Sequence, residues 1–95
     1  MKLLNDKEIK KLRLNFLNGD SIVSLLKSLL KDHPEFGPGH LIFCLMDAFG
    51  VTHDDISCIG GWWPDGTSEL SDQDIESKLK SVIENAYKSG KWGSD

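Results

Sequence analysis

A chain of 95 residues with a net charge of −4, 39% hydrophobic and 27% charged residues reads as one ordinary soluble globular domain. No apolar run approaches the roughly 18 residues of a membrane span, and the charged, interrupted start MKLLNDKEIKKLRLNF is not a secretory signal. Two cysteines, Cys44 and Cys58, are too few for a disulfide-stapled secreted domain, which points to a cytoplasmic protein without membrane contact.

The charge is unevenly spread. Residues 1–31 carry seven Lys or Arg against three acids, and residues 77–95 carry four Lys against two acids. Between them, residues 32–76 hold ten Asp or Glu and no Lys or Arg. Such a one-signed block attracts a basic partner and speeds its encounter. It argues against direct binding of nucleic acid, which needs a basic face. The plainer reading is a solvated acidic surface that aids solubility.

The chain has no internal repeat and reads as helices. Asn5 and Glu8 have capping-box spacing, and Leu4 and Ile9 can staple the same turn. Ile9, Leu12, Phe16 and Leu17 then form an apolar stripe that Gly19 ends. Asp20 is expected to cap a second helix with Ile22, Leu25, Leu26, Leu29 and Leu30 inward; His33-Pro34 stops it. Pro38 suits the first position of a third helix, and residues 39–49 are apolar on nearly every side, as in the most buried helix of a domain. Gly50 is its left-handed cap. Thr52 and Asp55 have capping-box spacing over a short helical turn. Residues 58–68 read as an irregular loop, with a β-hairpin through ISCIGGWW as the alternative. Ser71 and Asp74 open a last helix whose apolar positions are Ile75, Leu79, Val82, Ile83 and Ala86. Gly90 ends it before a ragged tail, KWGSD, that looks dispensable. The expected fold is all-α: a small bundle of about four helices in a single domain, 1–95, with an irregular Trp-Trp and acidic loop before the last helix.

Motifs for catalysis are weak. An EF-hand alignment of PDGTSELSDQDIE on Gly66 puts Gly61 and Trp63 where ligating acids belong, so calcium is not expected. His40, Cys44, His53 and Cys58 match no familiar zinc spacing, and Cys44 sits between Phe43 and Leu45 as a small hydrophobe would. No orienting group completes a Cys–His pair, and no phosphate loop or nucleophile elbow occurs. The chain is therefore expected to be neither an enzyme nor a cofactor or metal protein.

Trp62 and Trp63 remain. One ring alone could cap the bundle. Adjacent residues of an extended loop point to opposite sides, so at least one ring is expected near the surface. An exposed Trp suits an interface anchor and the face-on stacking of Lys or Arg. Asp54, Asp55, Asp65, Glu69 and Asp72 would rim it.

These features, the block 32–76 without Lys or Arg and the loop DDISCIGGWWPDGTSELSD, resemble in type and texture the immunity proteins of bacterial contact-dependent growth inhibition and related polymorphic toxin systems. The resemblance covers most of the chain and carries no diagnostic motif. It implies a cofactor-free inhibitor that binds and neutralises a cognate toxin, often a basic nuclease, by blocking its active site or substrate groove. Acidic side chains would stand in for the phosphates of the toxin's RNA or DNA. The basic first helix does not fit a purely acidic mimic. The partner-binding residues expected on this reading are Trp62, Trp63, Asp54, Asp55, Asp65, Glu69 and Asp72, on a monomer. The alternative is a small acidic adaptor or regulatory domain that docks without inhibiting.

Overall fold

The structure, a computed structural model, describes residues 3–64 and 67–92. Asn5 opens α1 (Asp6–Leu17): its side chain accepts the Glu8 N–H at 2.8 Å while Glu8 accepts the Asn5 N–H. Leu4 and Ile9, on either side of this box, are both buried. α2 (Ile22–Asp32) is capped by Ser21, not by Asp20 as the sequence suggests. Ser21 takes the Ser24 N–H, and the Glu76 carboxylate, arriving from the last helix, takes the N–H groups of Ile22 and Val23 at 3.0 Å each. Those donors would otherwise be orphans of the first turn.

α3 (Pro38–Phe49) begins with Pro38 in its first turn and ends on Gly50 at φ 64°. It buries Leu41, Ile42, Cys44, Leu45, Ala48 and Phe49, yet leaves Phe43 largely exposed. Thr52 caps the single turn α4 (His53–Ile56). A 3₁₀ turn (Ser57–Gly61) follows it directly, where an irregular loop or a hairpin was expected. Ser71 and Asp74 form the box that starts α5 (Asp72–Lys88). The result is an all-helical bundle of four principal helices, with the short α4–3₁₀ segment packed on α3 and α5. One contiguous apolar core runs through all of them.

The C-terminal segment is part of that core, against the expectation of a dispensable tail from about residue 90. Trp92 is buried, packs edge-on to Phe49 at 4.8 Å and Phe16 at 5.8 Å, and touches the Tyr87 ring at 4.6 Å. Its indole N–H donates to the Ile83 carbonyl at 3.1 Å. Arg13 holds the segment in place by donating to the Ala48 carbonyl at 2.6 Å and to the Trp92 carbonyl. The Lys91 backbone lies so close to Gly50 that a Cβ there would meet the Lys91 carbonyl oxygen at 1.7 Å.

At the opposite end His33 joins α1 to the α2–α3 link. Its Nε2 lies 2.7 Å from the Glu8 carboxylate, and its ring stacks on Phe36 at 4.5 Å. The Glu8 hydrogen bond raises the His33 pKa, and the His33 hydrogen bond lowers that of Glu8.

Two outcomes follow from this packing. Trp92→Ala should destabilise the fold by about 3–5 kcal/mol, the usual cost of deleting a buried Trp, read by urea unfolding. The His33–Glu8 contribution is full below the ordinary histidine value of 6.5 and is lost as pH rises through the raised His33 value. On the acid side it is full above the ordinary carboxylate value of 4.5 and is lost as pH falls through the lowered Glu8 value. The stability gap between the wild type and His33→Gln should therefore be widest between these two ordinary values and shrink in mildly alkaline buffer; a gap independent of pH would refute it.

Candidate functional site

The region singled out by the sequence runs from α4 to the start of α5. Ile56, Ile59 and Trp62 recur every third residue across the 3₁₀ turn and its two flanking positions, and all three are fully buried. The Trp62 N–H closes the turn on the Ile59 carbonyl at 3.0 Å. The Leu70 N–H then returns to the Gly61 carbonyl at 2.8 Å. Gly61 and Leu70 are thus held together at the two ends of the intervening segment.

The two tryptophans divide as adjacent residues of an extended segment must. Trp62 is fully buried, and its indole N–H donates to Asp72 Oδ1 at 2.8 Å. It offers no surface to a partner, so its expected contact role is corrected to a core role. Trp63 packs against the edge of the core and is half-buried. It is the ring that a partner could reach.

The acids separate in the same way. Asp72 accepts from Trp62 and from Lys27 Nζ at 3.1 Å; the Trp62 bond and then the Lys27 bond lower its pKa. Its carboxylate fastens the loop, α2 and α5 together, which makes it a fold residue before it is a contact residue. Lys27 also breaks, in space, the base-free stretch seen in sequence. Glu69 is exposed beside Asp72 in an open groove that also includes Pro64, Leu70 and Gln73. Asp54 and Asp55 are exposed on α4, where Asp55 also takes the Thr52 N–H at 3.4 Å. Asp55 lines a second cleft with Val51, Val82, Asn85 and Lys91. Asp72 and Asn85 are thirteen helical residues apart, about 20 Å at 1.5 Å per residue. The acids therefore form two groups toward the two ends of α5, not one ring around a tryptophan. Asp65 lies outside the described residues.

Burial and ring stacking define the surroundings of Cys44, Cys58 and His40. Cys44 is fully buried and burial pushes its pKa up to about 12, so it stays a thiol. Burial also raises that of half-buried Cys58. His40 stacks on Phe36 at 5.2 Å, and its Nδ1 accepts the Gly37 N–H at the start of α3. Among the described residues no three His, Cys, Asp or Glu side chains are placed to hold a metal ion, and no helix is long and apolar enough to cross a membrane.

No protein-family profile matches the chain, and neither a curated protein nor a solved structure is similar to it.

The division between Asp72 and its neighbours is measurable. Asp72→Ala removes the acceptor of a buried indole N–H and should lower the urea midpoint clearly. Asp54→Ala and Glu69→Ala, on open surface, should leave it within about 0.5 kcal/mol of the wild type. Equal midpoints for all three would remove the fold role assigned to Asp72.

Proposed function

We propose that this chain is an immunity protein: a non-catalytic inhibitor that neutralises a cognate bacterial toxin, a basic nuclease domain, by protein–protein binding. One observation carries the reading. A 45-residue stretch with ten acids and no Lys or Arg presents exposed carboxylates at Asp54, Asp55 and Glu69 on the segments that flank a half-buried Trp63.

The contact chemistry follows from those groups. Carboxylates bind the Lys and Arg side chains with which a nuclease holds phosphate, and so occupy its substrate groove. The separation of the acids into two groups suits a partner whose bases are spread along a groove, as phosphate-binding residues are. The reachable face of Trp63 lies between them in the chain and can stack on a guanidinium. Opposed fields also speed the encounter, which an inhibitor of a lethal enzyme needs.

The test begins with the protein tagged at its N-terminus, since Trp92 belongs to the core. The tagged protein is used to recover its partner from the native cell, with washes at rising salt. A stoichiometric basic protein that kills when expressed alone, released by salt, is the expected result. Recovery of a housekeeping assembly with no toxic member would replace the reading with an adaptor. With the partner in hand, Trp63→Ala should weaken binding by about 2 kcal/mol, roughly thirty-fold in Kd. The Asp54→Ala, Asp55→Ala pair should mainly slow association. Calorimetry and stopped-flow kinetics read these effects; unchanged values for all three substitutions would move the contact elsewhere.

A further inference from the structure

Three large apolar side chains stand half or more exposed on two neighbouring helices: Leu14 at 59% and Leu17 at 50% on α1, and Phe43 at 54% on α3. Burying them would be favourable, and isolated exposure of this kind is ordinary. Here they coincide with a charge pattern that narrows what could cover them.

The outer face of α1 carries Lys7, Lys10, Lys11, Leu14 and Leu17 at helical spacing, all exposed, with the exposed Asp6 one turn before Lys10. The outer face of α3 carries Phe43 and, one turn on, Asp47, both exposed. The two helices run side by side in the same direction. Phe16 meets Phe49 at 5.9 Å, Arg13 reaches the Ala48 carbonyl, and Glu8 is linked through the His33–Phe36–His40 stack to the start of α3. The basic part of α1 is therefore level with Phe43 and Asp47. Lys10 and Leu17 share the flank of Arg13, which faces α3, so the two outer faces adjoin.

We propose that these adjoining faces form a two-fold interface between two copies of this chain. A two-fold axis along the helix direction, between α1 and α3, lays α1 of one copy over α3 of the other and repeats the contact in reverse. Phe43 then seats among the lysine stems of the second copy, where their methylenes cover the ring and their ammonium groups meet its face. Asp47 meets Lys10 of the second copy, and Leu14 and Leu17 extend the apolar strip. The chain supplies both halves of the complement, so no third component is needed. This surface is separate from the Trp63 loop, stands without the function proposed above, and replaces the expectation of a monomer.

Sedimentation equilibrium of the full chain across the micromolar to millimolar range tests it. The expected mass rises from the 10.6 kDa of one chain to about twice that value. Lys10→Glu and Asp47→Lys, each alone, should return the mass to one chain, and the double exchange should restore the dimer. Phe43→Ser, at an exposed position, should also abolish association while circular dichroism stays unchanged. A mass of one chain at every concentration would overturn the proposal. So would association that survives both single reversals, loss without rescue in the double variant, or growth beyond two copies.

Discussion

The guanidinium of Arg13 is the joint on which the rest of the bundle depends. It donates from α1 to the Ala48 carbonyl, one of the last acceptors that α3 cannot satisfy within itself, and to the carbonyl of Trp92. One planar cation thereby fixes the end of α3 and the segment beyond α5 to the same helix. The aromatic cluster of Phe16, Phe49, Tyr87 and Trp92 is assembled under that clasp. Gly50 completes it. The left-handed turn that ends α3 has no side chain, and the Lys91 backbone occupies the space a methyl group would need.

What was legible in the sequence was local. The boxes at Asn5/Glu8, Thr52/Asp55 and Ser71/Asp74 each lie within four residues, and all three form. The helix count and the all-α class follow from them and from the apolar spacing. What escaped was set by distant residues. Asp20 and Ser21 are both good caps; Ser21 is the one used, in a turn whose first two N–H donors, Ile22 and Val23, go to Glu76, more than fifty residues away. The tail looked ragged because KWGSD is short and polar around a single Trp. Nothing near it announces the Gly50 gap or Arg13. One missed signal was present: Ile56, Ile59 and Trp62 at intervals of three mark a 3₁₀ turn, a period the helix and strand templates do not count.

The candidate site was legible in composition but not in placement. That one tryptophan would turn outward followed from backbone alternation; that it is Trp63 follows from the 3₁₀ phase, which commits Trp62 to the core. The acids looked like one cluster because they are close in sequence. Folding spreads them along α5 and draws Asp72 into a structural bond with Lys27, 45 residues distant. A block defined by residue number is thus a poor guide to a field in space: α2 projects an ammonium into the acidic part of the chain, and α5 projects a carboxylate onto α2.

The hydrogen bond from the Leu70 N–H to the Gly61 carbonyl closes the Trp63 segment at its base. Its two ends are held together at Gly61 and Leu70, while Trp63 between them packs against the edge of the core. Doubling such a loop costs only about 0.6 kcal/mol in closure entropy. Exposed positions of the segment such as Glu69 can therefore change while the helices keep their packing. The fold is a fixed handle carrying an exchangeable tip, and new binding preferences could be drawn from that tip without rebuilding the core.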